Sequence, residues 1–131
     1  MKVFENIYII DDDAVATFGL KRSIESISAA KHISSFENGL LALENLKQRI
    51  KNGQKLPLLI FVDLYMPIMG GWEFLEEFFK VYPPEKVIPL IFIMSSSIAL
   101  NEIEKAKIFE LENNYLSKPV TSDVLKRILP K

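Results

Sequence analysis

Short runs of apolar residues alternate along the chain with longer stretches in which apolar and polar positions recur at helical spacing. The apolar runs are rich in β-branched residues and nearly continuous, which is the pattern of strands buried on both faces of a sheet. Three clear runs and two weaker ones occupy residues 7–10, 58–62 and 90–94, then 33–36 and 114–117. The pattern therefore predicts five short strands.

The stretches between these runs predict five helices. Apolar side chains return every three or four residues over about 14–28, 38–52, 71–81, 101–109 and 122–129. We expect Asn38 to cap the second helix and Gly53 to end it, and Thr121 or Ser122 to cap the last one. Five β–α units in series favour an α/β fold, in which a parallel sheet carries helices on both faces.

Composition narrows the class of protein. The 131 residues are 49% apolar and 25% charged, which fits one soluble globular domain over residues 1–131. The net charge of −1 gives no electrostatic reason to expect nucleic acid or a membrane surface as a partner. The absence of cysteine excludes disulfides and thiolate metal sites. No apolar run approaches the roughly 20 residues of a membrane span, and acidic residues come too early for a signal peptide, so we expect a cytoplasmic protein.

Polar side chains follow the predicted strands, at the edge where an open parallel sheet binds its ligands. Asp11 and Asp12 follow the first strand and Asp63 follows the third, while Ser95 and Lys118 follow the fourth and fifth. If strands 1 and 3 are neighbours, three carboxylates share one rim and raise one another's pKa. A hard divalent cation with oxygen ligands, such as Mg²⁺, would relieve that repulsion. One carboxylate could then act as a nucleophile towards a phosphoryl group.

With these residues in this order, the chain resembles the receiver domain of response regulators over essentially its whole length. A single short motif has a high false-positive rate, but the agreement of four motifs at four predicted strand ends is specific. The matching elements are an acidic pair, a D-x-x-M-P-x-x-x-G run, a serine and a Lys-Pro pair: Asp11, Asp12, Asp63, Met66, Pro67, Gly71, Ser95, Lys118 and Pro119.

The resemblance implies a flavodoxin-like, doubly wound fold with a five-stranded parallel sheet of order 2-1-3-4-5. It also implies that Asp63 is the phosphoacceptor. Mg²⁺ would be held by Asp12, Asp63 and the backbone carbonyl of Tyr65, with Asp11 acting through a water. Lys118 would contact the phosphoryl oxygens and would form a cis peptide bond with Pro119.

The same resemblance implies partners and a switch. A histidine kinase or a phosphotransfer protein would supply the phosphoryl group. Ser95 would move towards that group, and Tyr115 would turn into the space it leaves. A face of about residues 99–129 would then bind a downstream target protein. A weak homodimer through that face stays open as an alternative, as does the chain being a fragment of a larger regulator.

Two residues depart from the pattern usual in the family. Tyr65 stands two residues after Asp63, where a small polar residue is frequent, and Ser97 stands two residues after Ser95, where an acid or amide often steers water. Both flank the path of a water that attacks the phosphorylated aspartate, so Tyr65 is predicted to slow the loss of the phosphoryl group. Two other functions stay open. One is a pseudo-receiver that only binds partners, and the other is an aspartate-nucleophile phosphatase, although such enzymes generally carry a second Asp where this chain has Tyr65.

Two further features are interpreted more simply. His32 has no neighbours that would complete a metal site, so we expect an ordinary surface residue. The aromatic run over residues 72–82 is wider than one helix face needs, so most of it should be core. An exposed remainder around Trp72 or Phe78 is a candidate partner contact.

Overall fold

The fold is a parallel sheet covered by helices on both faces. The structure, a computed structural model, describes residues 2–96 and 100–131. Within these residues the sheet has five parallel strands in the order β2-β1-β3-β4-β5, which confirms the predicted fold class and strand order. In chain order the elements are β1 (Phe4–Ile10), α1 (Ala14–Ser26), β2 (Ala30–Phe36), α2 (Gly39–Lys51), β3 (Leu59–Asp63), α3 (Gly71–Val81), β4 (Leu90–Ser95), α4 (Leu100–Ile108), β5 (Tyr115–Ser117) and α5 (Ser122–Ile128).

The central strands are buried on both sides because each face of the sheet is covered by its own hydrophobic cluster. Tyr8, Ile60 and Ile93 pack towards α2 and α3, whereas their neighbours Ile9 and Phe61 pack towards α1 and α5. Alternation along a strand sends successive side chains to opposite faces, so both sets must be apolar. This is the physical origin of the continuous apolar runs in the sequence.

Helix caps agree with the sequence signals. The Asn38 side chain accepts a hydrogen bond from the amide of Leu41, and Thr121 caps α5 in the same way. Gly53 follows the end of α2 with φ of 65°, a conformation that costs glycine little. Asp13 caps α1, accepting from the amides of Val15 and Ala16.

The predicted starts of β1 and β2 are wrong by three residues, because both strands begin earlier than the apolar runs indicate. Glu5 and Asn6 interrupt the apolar run of β1, and Lys31 and His32 interrupt that of β2. Since β2 is an edge strand, its polar side chains point into solvent while its backbone still pairs with β1. His32 is therefore an exposed strand residue.

The aromatic run of α3 lies mainly in the core, as predicted, but its exposed part is not where it was expected. Phe78 is completely buried, so the expectation that it forms a surface contact is wrong. Trp72 is partly buried and stacks on Phe109 from the end of α4, with ring centroids 6.0 Å apart. The more exposed aromatic residue of this helix is Phe79.

Candidate functional site

The register of the strands brings the predicted site residues to one rim of the sheet. Ile10 pairs with Val62, so the residues that follow β1 lie beside Asp63 at the end of β3. Asp63 in turn pairs with Met94, next to Ser95. Asp11, Asp63 and Ser95 are buried, whereas Asp12 is exposed.

Three carboxylates meet at this rim. Asp11, Asp12 and Asp63 each place one carboxylate oxygen so that all three oxygens lie within 4.8 Å of one another. Like charges at such distances repel unless a cation lies between them. The donors are all oxygen atoms, and a small set of carboxylates is the ligand chemistry that Mg²⁺ prefers, so the residues fit this ion.

Lys118 supplies a positive charge at the same rim. Its Nζ lies 2.7 Å from Oδ2 of Asp11 and 3.2 Å from Oδ1 of Asp63. The backbone amide of Lys118 donates to the carbonyl of Ser95, and the peptide bond between Lys118 and Pro119 is cis. The connection after β5 therefore directs the ammonium group back over the ends of β1 and β3.

One ammonium does not neutralise this cluster. Burial raises the pKa of Asp63, the charge of Asp11 raises it further, and the opposing effect of Lys118 does not cancel the two. Burial alone would lower the pKa of Lys118, but the carboxylates of Asp11 and Asp63 raise it overall. The three carboxylates of the rim thus carry more negative charge than the ammonium of Lys118 neutralises, and this excess favours the binding of a cation.

The loop between β3 and α3 (residues 64–70, hereafter the β3–α3 loop) is held close to the strand ends. The amide of Gly71 donates to the carbonyl of Leu64 at 2.9 Å. A β-carbon on Gly71 would lie only 2.4 Å from the carbonyl oxygen of Asp63, so this position requires glycine. Ile68 has φ of 70°, which is strained for a β-branched residue.

Tyr65, from this loop, reaches helix α4. Its hydroxyl donates to Oε1 of Glu102, and Nε1 of Trp72 donates to Oε2 of the same carboxylate at 2.7 Å. Glu102 is buried, although the surrounding sequence is that of an ordinary polar helix. Sequence reasoning missed this residue because its two donors lie 37 and 30 positions away.

The two residues of the expected switch are neighbours. Ser95 ends β4 and Tyr115 begins β5, and the hydroxyl oxygen of Tyr115 is buried on the side of Ser95. Burial raises the pKa of Tyr115, and the charges of Glu102 and Asp63 add to the increase. Ser97 lies outside the described residues, as does residue 99 at the start of the expected read-out face.

Fold and site together define a class of protein, a phospho-accepting signalling domain. The family model of the response regulator receiver domain matches residues 7–129. The chain belongs to this family, whose members act in two-component phosphorelay signal transduction and are generally not true enzymes.

Individual relatives agree with this assignment. A two-component response regulator from Cytophaga hutchinsonii is 27% identical and superimposes with a TM-score of 0.83, covering 96% of this chain and 94% of that one. The probable methanogenesis regulatory protein FilR2 of Methanothrix harundinacea is 26% identical over 92% of this chain and 76% of its own length. The sensor histidine kinase CheAY of Helicobacter pylori is 28% identical over 95% of this chain, which spans 14% of that protein.

Among residues 2–96 and 100–131, no helix combines the length and the apolar character that crossing a bilayer requires.

Proposed function

We propose that Asp63 accepts a phosphoryl group from a histidine kinase or a phosphotransfer protein in the presence of Mg²⁺, and that the modified domain then binds a target protein. The observation that carries this proposal is the placement of Asp63 between two further carboxylates and the ammonium of Lys118. That arrangement offers a nucleophile, a cation site and a donor to phosphoryl oxygens in one place.

The chemical step is a phosphoryl transfer between two side chains. A carboxylate oxygen of Asp63 attacks the phosphorus of a phosphohistidine, an O–P bond forms, and the P–N bond to the imidazole breaks. The imidazole leaves as a nitrogen base and takes up a proton. Asp63 reacts as the carboxylate, and Lys118 already lies 3.2 Å from its oxygen, in position to donate to the oxygens of the incoming group.

A magnesium ion would be held by Asp12, Asp63 and the backbone carbonyl of Tyr65, with Asp11 contributing through a water. When bound, the ion supplies neutralisation of the charge on the transferring oxygens. Asp12 is exposed and Asp63 is buried, so the ion would enter from the solvent side of the rim. Asp11 contacts Lys118 at 2.7 Å and keeps the ammonium aimed at the reacting group.

The phosphodonor needs a surface beside Asp63. A groove of about 520 Å³ opens next to Asp11 and Lys118, between α1 and the connection from β5 to α5. Val15 lines this groove and is largely exposed on α1. We assign this apolar border to the domain that carries the phosphohistidine, because that partner must touch the rim during transfer.

The output of the domain uses Ser95 and Tyr115. A phosphoryl group on Asp63 brings strong acceptor oxygens next to the Ser95 hydroxyl, which would turn towards them. Tyr115 is already partly buried beside Ser95 and would follow that change. The read-out face, about residues 99–129, would then present a different surface to the target protein.

The test is intact-mass analysis after incubation with acetyl phosphate and Mg²⁺. We expect one phosphoryl group on the wild type and on the Asp13→Asn variant, since Asp13 caps α1 and takes no part in the carboxylate cluster. EDTA or Asp63→Asn should abolish the adduct. A folded wild type that takes up no phosphoryl group under these conditions would contradict the proposal and favour a pseudo-receiver.

A further inference from the structure

Glu102 connects three separate segments of the protein. It lies on α4 and is only 5% exposed, and its two carboxylate oxygens have different partners. One accepts from the hydroxyl of Tyr65 in the β3–α3 loop, and the other accepts from Nε1 of Trp72 in α3. A movement of any one of these segments must stretch or break a bond to Glu102.

These bonds are of the strong kind. The hydrogen bond from Tyr65, together with that from Trp72 and the charge of Lys105, holds the pKa of Glu102 below its usual range despite burial. Glu102 is therefore a carboxylate at neutral pH. Hydrogen bonds to an ionised acceptor are roughly twice as strong as those between neutral groups. Losing one of them leaves a buried charge short of a partner.

Tyr65 places this link next to the reaction. It is two residues from Asp63. The hydrogen bond to Glu102 is the main cause that raises the pKa of its hydroxyl, and the charge of Asp63 makes the smallest contribution. Its backbone carbonyl is the proposed third ligand of Mg²⁺. The same residue thus touches the site through its main chain and α4 through its side chain.

On its other side, the link reaches the surface of α4. Trp72 stacks on Phe109 next to the end of that helix, so Glu102 and Phe109 fasten both ends of α4 to α3. Leu100 and Ile108 of the same helix are among the most exposed apolar side chains of the described residues. A displacement of α4 would reposition these side chains, which belong to the proposed read-out face.

We infer that Glu102 is a positioning residue, which couples occupancy of the site at Asp63 to the position of α4 by holding the hydroxyl of Tyr65. The inference rests on the proposed function. Coupling between two sites is reciprocal, so cutting the link must change both the response of α4 and the affinity of the site.

Trp72 provides the readout, because it is the single tryptophan of the sequence. Its emission is recorded while Mg²⁺ and beryllium fluoride, a phosphoryl mimic, are added. We expect the emission of the wild type to change. In Tyr65→Phe, which keeps the ring and the backbone carbonyl but loses the hydroxyl donor, that change should be at least about threefold smaller. The Mg²⁺ affinity of that variant should fall about fivefold. Glu102→Gln should behave in the same way.

The matched control is Glu104→Gln. Glu104 lies on the same helix, its side chain is 70% exposed, and among the described residues its one ion pair is with Lys107. Its removal should therefore leave the emission change and the Mg²⁺ affinity as in the wild type.

Binding of beryllium fluoride is followed separately by ¹⁹F NMR, so that two failures can be told apart. If the wild type binds no beryllium fluoride with Mg²⁺, the proposed function and the inference are both overturned. If Tyr65→Phe binds it and responds as Glu104→Gln does, the inference alone is overturned. A reduced response in Tyr65→Phe and Glu102→Gln, with binding retained, supports it.

Discussion

Nζ of Lys118 lies 2.7 Å from Asp11 and 3.2 Å from Asp63, so a single ammonium is shared between two buried carboxylates. With Asp12 close by, the rim keeps an excess of negative charge, which must be tolerated by the fold whenever no cation is bound. The carboxylate cluster thus favours cation binding and lowers the stability of the metal-free fold.

Removing the charge of Asp63 should stabilise the metal-free protein. The raised pKa means that the folded state holds this proton more tightly than the unfolded chain does, so the free energy of unfolding falls as pH rises through that range. In EDTA at pH 7, Asp63→Asn should raise the Tm by roughly 3–5 °C, corresponding to about 1 kcal/mol at a site partly screened by solvent.

Two controls accompany this comparison by thermal denaturation. The difference in Tm should shrink as the pH is lowered, because wild-type Asp63 then becomes protonated. Mg²⁺ should raise the Tm of the wild type and have little effect on Asp63→Asn. If Asp63→Asn is less stable than the wild type in EDTA at pH 7, the charge of Asp63 does not destabilise the metal-free protein, and the prediction is wrong.

Gly71 and Gly19 form a matched pair for testing the close approach of α3 to the strand end. A β-carbon on Gly71 would lie 2.4 Å from the carbonyl oxygen of Asp63, whereas one on Gly19 would meet nothing within 4 Å. Gly71→Ala should lower the free energy of unfolding by about 2 kcal/mol or more. Gly19→Ala, inside helix α1, should raise it by up to about 1 kcal/mol. Urea denaturation measures both, and equal effects would contradict the geometry.

Ile68 is predicted to cost stability. It is 76% exposed with φ of 70°, so its side chain gains little from burial while its backbone is strained. Ile68→Asn should raise the free energy of unfolding by about 1 kcal/mol, because asparagine tolerates this conformation. Val87→Asn is the control: it removes an equally exposed apolar side chain at a residue without positive φ, and it should change little. No gain at Ile68 relative to Val87 would refute the strain argument.

Tyr65 is predicted to prolong the phosphorylated state. Its hydroxyl donates to Glu102, and it stands two residues after Asp63. We expect its ring to obstruct an approaching water whether or not the hydroxyl is held by Glu102. Tyr65→Asn should shorten the half-life of the phosphorylated protein about tenfold. Tyr65→Phe keeps the obstructing ring and should stay within roughly a factor of two. Intact-mass analysis of the phosphorylated protein over time gives both half-lives. An unchanged or longer half-life in Tyr65→Asn would contradict shielding by Tyr65.

The sequence was sufficient for the fold because strands buried on both faces leave continuous apolar runs, as at residues 58–62. It also located the rim, since parallel strands end at one edge and bring Asp11, Asp63 and Lys118 together wherever the intervening helices lie. The order of the strands is not encoded in such local patterns. The family resemblance supplied it.

The features that local sequence patterns do not predict depend on contacts between residues far apart in the chain. Glu102 looks like an exposed helical glutamate until Tyr65 and Trp72 are placed beside it. Phe78 looked free because its helix carries more aromatic residues than one face needs, yet α3 is covered on more than one side. The first residues of β1 and β2 were not predicted because they pair through the backbone, and backbone pairing does not require apolar side chains.

Chemical trapping of the modified residue tests the central claim most directly. An aspartyl phosphate is an acyl phosphate, and sodium borohydride reduces it to homoserine, which peptide mass spectrometry locates in the chain. After phosphorylation with acetyl phosphate and Mg²⁺, homoserine is expected at position 63 and at neither position 11 nor position 12. Homoserine at position 11 or 12, or none in a protein that is folded and carries Mg²⁺, would contradict the account.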